Sequence, residues 1–388
     1  MSKPRAAELF YTRRVIGLPT SLTRTIERGG RGLSVLAIRL GALGDVLRTV
    51  PAVRLIRRGL PEARIVWAVE EHWRIVLDEH PDLDAIVPLP RKQWDRWSAR
   101  WTDWPRLAGS LWKVRHALRA VGADLAVDFH GNLRSGVVAR LSGAPVRLGY
   151  AGHQQKEGNR RFTTHRVPSG DRRTPRMERN LDLVRALGLP ARPLPDGGLH
   201  MVAVGREQAR RILREQSDGA NLIVVSPGAS PAQAYKRPPL ALLVAACRAA
   251  HRRGAIALVV FGPGEEDDAR RLTQAAGDAA RLAPSTPLPV LAALLSEARL
   301  FVGGDSGPLH LACAVGCPVL GLYGPTDPRV NLPWGVPHEA LAPPQREYTG
   351  IKRIDRESGG FAGLEPAHVA AAVERMLAAP RGSVLSTG

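Results

Sequence analysis

Short apolar runs punctuate this chain, and most are followed by glycine or proline and then by a stretch long enough for a helix. Ser34–Leu40, Arg64–Val69, Ala85–Leu89 and Asp124–Asp128 read as strands in the first half, and Asp45 opens a helical stretch to about Arg58. In the second half the strands are Leu222–Ser226, Ala255–Phe261, Leu300–Val302 and Val319–Tyr323. They alternate with helices near Pro239–Arg252, Glu265–Ala276, Pro289–Glu297 and Pro308–Val315, and Pro366–Ala378 is a last helix. Strands alternating with helices predict parallel sheets covered on both faces.

Between these halves, Arg166 to about Leu199 is rich in proline, arginine and glycine apart from a helical segment near Met177–Leu187. The pattern predicts two α/β domains, at 33–185 and 201–365, joined by a linker at 186–200. A basic extension, 1–32, precedes them, and a C-terminal helix and tail, 366–388, follow. Two open α/β sheets facing each other make a central cleft, with ligands at the carboxyl ends of the strands.

Length and composition agree with this. The chain has 388 residues, enough for two cores, and 44% of them are hydrophobic. No apolar run reaches the roughly 18–20 residues that span a bilayer. Arg13, Arg14, Arg24 and Arg28 break the N-terminal stretch, so no signal-peptide core forms and a cytoplasmic location is expected. The net charge of +19 favours polyanionic partners, although an arginine-rich codon bias writes the same balance. Cys247, Cys313 and Cys317 make no disulfide framework. Cys313 and Cys317 lie near His310, but small buried thiols account for them and no metal is expected.

Candidate chemistry falls where strands end. Gly41-Ala42-Leu43-Gly44-Asp45 lets the backbone turn tightly and places an acid at the start of a helix. From residue types alone, an N-cap is the first explanation of Asp45. Gly303 to His310 reads Gly-Gly-Asp-Ser-Gly-Pro-Leu-His and leads into an apolar helix, which suits an anion at a helix N-terminus better than a plain capped turn. Ser226-Pro227-Gly228-Ala229-Ser230 ends another strand, and Lys236 beyond it offers a point charge for a phosphate. Glu265, in Gly262-Pro263-Gly264-Glu265-Glu266, suits either a ribose or the helix dipole.

Trp94, Trp97, Trp101 and Trp104 recur at spacings of three, four and three, so one helix carries them on a single face among Arg91, Lys92, Arg96 and Arg100. Packing within the protein is the preferred reading, and a membrane interface the alternative. Asp82-Leu83-Asp84 matches a metal-binding D-x-D pattern but reads as a solvated turn.

These motifs in this order resemble the bacterial lipopolysaccharide heptosyltransferases of glycosyltransferase family nine, over about residues 33–380. The resemblance rests on Gly44-Asp45, on Trp67 to Glu71, on Asp128 to Ser135, on Lys236, on Asp305 to His310 and on Tyr323-Gly324-Pro325-Thr326-Asp327-Pro328. It implies a GT-B fold of two Rossmann-like domains facing a cleft, with the acceptor in the first and the nucleotide sugar in the second. It implies inverting, metal-independent transfer of heptose from ADP-heptose to an inner-core acceptor, with no cofactor beyond the ADP-sugar.

By the same resemblance, Asp45 is the catalytic base. Lys236, Glu265, Asp305, Ser306, Gly307, His310, Ser226 and Gly228 hold the donor, and Gly44, His130 and Arg134 lie on the acceptor side. The implied partners are a nucleotide sugar and an anionic lipid-linked glycan, with peripheral contact at the inner membrane face and no nucleic acid. The family often carries hydroxyl residues in its first turn, where this chain has Gly41 and Ala42. The donor-side turn Ser-Pro-Gly-Ala-Ser lacks the threonine of the most similar forms. The nearest alternative is the same fold with another nucleotide-sugar donor or glycan acceptor; a nicotinamide oxidoreductase, with Glu70 as its ribose acid, is a weaker competitor because no G-x-G-x-x-G is present.

Overall fold

The computed structural model describes residues 17–168, 170–192, 198–217, 221–344 and 360–379. The chain divides into two compact units, Met1–Pro193 and Leu194–Gly388.

The first unit opens with α1 (Thr20–Glu27), whose Leu22 and Ile26 are buried. Residues 20–32 therefore belong to this unit and are not an appendage; residues 1–16 lie outside the described residues. Then follow β1 (Ser34–Ile38), α2 (Leu43–Gly59), β2 (Arg64–Glu70), β3 (Ala85–Leu89), α3 (Arg91–Ser98), α4 (Trp104–Ala120), β4 (Leu125–Asp128), α5 (Leu133–Ser142), β5 (Val146–Ala151), β6 (His165–Pro168) and α6 (Arg176–Ala186). The strand order is β3-β2-β1-β4-β5-β6, and every pairing is parallel. Residues of β1, β2 and β4 fill the core with Val114, Leu118 and Val138 from the helices. Strands covered on both faces need no polar alternation, which is why β1 is buried along its whole length.

The second unit repeats the plan. It comprises α7 (Met201–Ser217), β7 (Asn221–Ser226), α8 (Leu240–Arg252), β8 (Ala255–Val259), α9 (Glu266–Ala276), β9 (Ala280–Leu282), α10 (Leu288–Glu297), β10 (Leu300–Gly304), α11 (Gly307–Ala314), β11 (Val319–Leu322), β12 (His338–Leu341) and α12 (Pro366–Ala378). Its order is β12-β11-β10-β7-β8-β9, again all parallel. Val369, Ala372, Val373 and Met376 of α12 share one core with Leu242 and Leu243 of α8. The final helix thus belongs to the second unit's core, not to a separate tail.

In both sheets the first strand of the unit lies beside its fourth, so the connections leave these two strands in opposite directions. The gap between them is the topological switch point, where ligands of such sheets bind.

The tryptophan segment departs from the expected single helix. The chain breaks after Ser98, makes a short 3₁₀ turn at Trp101–Asp103, and restarts at Trp104 with Pro105 in the first turn. Trp94 donates to Ser110 Oγ at 2.8 Å, but Trp101 and Trp104 are 78% and 61% exposed. Packing explains the first tryptophan and not these two.

In the second unit, a Cβ on Gly205 of α7 would lie 2.0 Å from the carbonyl oxygen of Pro289 in α10. Backbones meet there, and no side chain can yield. We expect Gly205→Ala to destabilise by about 1–3 kcal/mol through overpacking, despite the ~1 kcal/mol that alanine gains in a helix. A lower urea midpoint at unchanged slope is the readout.

Candidate active site

The first unit's candidate lies at its switch point. Ala42 occupies the N-cap of α2 in extended conformation and makes no side-chain cap. Asp45 lies within the first turn, so it is not the capping residue that its type suggested. Its carboxylate instead meets three guanidiniums: Arg48 at 2.7 Å, Arg176 at 3.3 Å, and Arg39 in direct contact. Its side chain keeps one-fifth of its exposure. Burial pushes the carboxyl up, but Arg39, Arg48 and Arg176 outweigh that and hold it well below the usual carboxylate range. Asp45 is therefore ionised and anchored.

His130 reaches the same place from the end of β4. Its Nδ1 accepts from the Leu40 N–H at 3.4 Å, and its Nε2 lies 3.2 Å from Asn132 Nδ2. Burial, then the positive charge of Arg39, pushes its pKa down to about 3, with Arg134 and Lys156 adding to the effect. The imidazole is neutral at physiological pH.

Asp128 builds the loop that carries His130. It is 1% exposed, and it accepts from the N–H groups of His130 at 2.9 Å and Gly131 at 3.0 Å, from Ser135 Oγ at 2.9 Å and from Asn159 Nδ2 at 2.8 Å. Burial pushes its carboxyl up against these four donors. Asn132 and Ser135 close a capping box over α5. Gly131 has φ +77°, and a Cβ would sit 2.8 Å from Gln154 O, so only glycine fits.

Of the acceptor-side candidates, His130 joins Asp45. Gly44 is buried and offers its carbonyl to Arg48 Nε at 3.2 Å. Arg134 is exposed in the first turn of α5. Glu70 is buried and pairs with Arg91 at 2.9 Å. Asp82 and Asp84 pair with Arg54 and Arg57, so the D-x-D turn is an ion-paired corner and not simply solvated.

The second unit's candidate occupies the corresponding edge. Ser306 is the N-cap of α11, and its side chain caps nothing. Its hydroxyl is buried with no hydrogen-bond partner among the described residues, as is that of Thr326 beyond β11. The first-turn N–H groups of α11 have no intrahelical acceptor, and the helix dipole adds positive potential there.

Asp305 and His310, 6% and 2% exposed, lie beneath this turn. His310 Nε2 is 3.2 Å from Asp305 Oδ1, and Lys236 Nζ is 3.4 Å from both Asp305 Oδ2 and its carbonyl. A Cβ on Gly304 would meet Lys236 O at 2.9 Å, so the missing side chain is what lets the lysine segment lie over the turn. Ser226 ends β7, 1% exposed. Glu265 Oε2 accepts from the Gly262 N–H at 2.9 Å and sits where a Cβ of Gly228 would be, at 2.0 Å. The structure thus gathers Ser226, Gly228, Lys236, Glu265, Asp305, Ser306, Gly307 and His310 along the carboxyl ends of β7, β8 and β10.

Residues 111–358 match glycosyltransferase family 9 (heptosyltransferase). The chain belongs to this family. As a family 9 glycosyltransferase it is similar to lipopolysaccharide heptosyltransferase 3 of Escherichia coli, with 27% identity covering 86% of this chain and 96% of the relative. It is also similar to lipopolysaccharide heptosyltransferase 1 of Pseudomonas aeruginosa, with 28% identity covering 90% and 99%. A family 9 structure from Veillonella parvula superposes with TM-score 0.72 at 21% identity, over 89% of this chain and 97% of the other. E. coli heptosyltransferase WaaC with ADP-2-deoxy-2-fluoro heptose superposes with TM-score 0.67 at 20% identity, over 88% and 99%. The fold is therefore GT-B, and the oxidoreductase alternative falls.

Arg39, Arg48 and Arg176 escaped the sequence reading. They come from β1's exit, α2 and the start of α6, and no local spacing links them. Thr326 lies in a quoted motif, but nothing in the sequence marked its hydroxyl as unpartnered.

His130 gives a signed pH dependence. Its folded pKa lies below the unfolded value of about 6.5, so the unfolded chain binds the extra proton between about pH 6.5 and 3. The stability His130 contributes is present above pH 6.5 and lost as pH falls through that window. We expect denaturant midpoints of the wild type to fall between pH 6.5 and 4.5, and His130→Gln to flatten that slope.

Proposed function

We propose that this chain transfers heptose from ADP-heptose to a hydroxyl of an anionic, lipid-linked lipopolysaccharide inner-core acceptor, by one inverting displacement that needs no metal. The observation that carries this is the second unit's edge. There a Ser306 hydroxyl with no hydrogen-bond partner among the described residues, the N-terminus of α11 and Lys236 converge, a suitable receptor for a diphosphate. Glu265, held against Gly228 and Gly262, supplies in this reading the carboxylate for the ribose hydroxyls.

In this mechanism Asp45 accepts the acceptor hydroxyl's proton as its oxygen attacks the anomeric carbon. The C–O bond to the diphosphate breaks, and charge develops on the leaving oxygen. Lys236 and the α11 N–H groups stabilise that charge, the task a metal performs elsewhere.

A carboxylate held by three arginines is a weak base. The same guanidiniums also attract an anionic acceptor. Its phosphates or carboxylates would draw Arg39 and Arg176 from Asp45 and raise the basicity of Asp45 as the substrate seats. The base would thus be activated by the acceptor it serves. A cytoplasmic location, where such a donor and a membrane-borne acceptor meet, fits this chemistry.

Asp45→Asn should lower kcat by about 10²–10⁴-fold, while ADP affinity by calorimetry stays within about twofold of wild type. Turnover near normal would remove Asp45 from the base role. Lys236→Ala should cost about 10²–10³-fold in kcat, and wild-type turnover should persist in EDTA. Arg176→Ala removes a positive neighbour, so the acid limb of the kcat/KM profile should move to higher pH. An unmoved limb would exclude Arg176 from controlling the base.

A further inference from the structure

Among the described residues no helix is long and apolar enough to cross a membrane, yet one surface of the first unit has the composition of a membrane interface. Trp101, Trp104, Leu111 and Trp112 are 78%, 61%, 44% and 63% exposed. On α4, positions 104, 108, 111 and 112 fall at helical spacing on one face, while Val114 and Leu118 of the same helix are buried in the sheet's core. The helix therefore carries two apolar stripes, and among the described residues only the Val114–Leu118 stripe packs into the core. Trp112 stacks on His116, ring centroids 5.6 Å apart, which fixes its orientation without covering it.

We propose that this face docks on an anionic lipid bilayer, with Trp101, Trp104, Leu111 and Trp112 seated at headgroup depth. Charge selects this occupant. The segment from residue 91 to residue 120 carries eight basic and two acidic side chains. Exposed Arg100, Lys113 and Arg115 flank the tryptophans and form no ion pair with any described residue. A second copy of the chain, itself +19, would present like charge against like. An anionic bilayer neutralises the basic rim and accepts the amphipathic indoles at its interface.

Position supports the same occupant. Glu70 at the carboxyl end of β2 pairs with Arg91 at the start of α3, and α4 begins beyond the carboxyl end of β3. The segment that carries Trp101 and Trp104 therefore follows the carboxyl end of β3, on the side of the sheet where Asp45 follows the carboxyl end of β1. A face held against lipid there would present that edge to a substrate embedded in the same surface. That purpose rests on the lipid-linked acceptor proposed above; the docking itself does not.

The test is co-sedimentation of the full chain with vesicles of phosphatidylglycerol and phosphatidylethanolamine, against vesicles of phosphatidylcholine alone. Wild type should bind the anionic vesicles, release from them at raised salt, and show a blue shift of tryptophan emission with quenching by brominated lipid. Trp101→Ser/Trp104→Ser/Trp112→Ser should weaken binding at least about tenfold, with ADP affinity unchanged. Arg100→Glu/Arg115→Glu should weaken it without removing an indole.

Wild type that ignores anionic vesicles, or is not quenched, overturns the proposal. So does a triple variant that binds as well as wild type, or a wild-type dimer in sedimentation velocity that the triple variant abolishes. The quenching measurement needs no substitution and decides the matter if the variant does not fold. Vesicle binding without heptosyl transfer would sustain the surface and sink the proposed acceptor; transfer without vesicle binding would do the reverse.

Discussion

Parallel pairing imposes the constraint from which the site follows. When all six strands of a sheet run one way, their carboxyl ends and the amino ends of the following helices share one edge. Unsatisfied N–H groups, helix dipoles and the loops that bear side chains then collect there without further design. In each unit the gap beside the first strand, β1 against β4 and β7 against β10, is where connections diverge and leave room. Asp45 and His130 flank the first gap; Ser226, Gly228 and Asp305 flank the second.

The two edges use the same ingredients for opposite ends. In the first unit a carboxylate is the centre and three arginines surround it, which keeps Asp45 ionised and leaves positive charge to spare. In the second unit a buried carboxylate serves the cation. Asp305 holds Lys236 and His310 under the turn, while the Ser306 hydroxyl above has no hydrogen-bond partner among the described residues. A buried charge without a partner is costly, so both clusters are paired through. Within the paired clusters Arg39 Nε and Arg176 Nε still lack a hydrogen-bond partner among the described residues, as do the neutral Ser306 and Thr326 hydroxyls, which cost far less to leave open.

What the sequence revealed follows from which forces are local. Strands buried on both faces are near-continuous apolar runs, so β1, β2, β4, β7, β8, β10 and β11 were legible to within two residues, and the apolar edge strand β3 was legible as well, though only partly buried. The peripheral strands β5, β6, β9 and β12 were not seen: Val146–Ala151 and His165–Pro168 carry arginine and histidine, and Ala280–Leu282 is three residues long. The glycine turns were legible because a close backbone approach demands glycine. The arginines around Asp45 were not, since tertiary packing alone unites positions 39, 48 and 176. The tryptophan period was real in sequence but not in space. Arg100 adopts an extended conformation and Pro105 restarts the helix, so one expected face became a half-buried Trp94–Ser110 contact and an exposed cluster.

The central claim is that the nucleotide rests on the second unit's edge, against the amino end of α11. Amide hydrogen exchange of the full chain with and without ADP tests it directly. ADP bound there slows exchange in Gly303–His310 and around Ser226–Lys236 and leaves Gly41–Asp45 unchanged. Protection at Gly41–Asp45 with none at Gly303–His310 would contradict it.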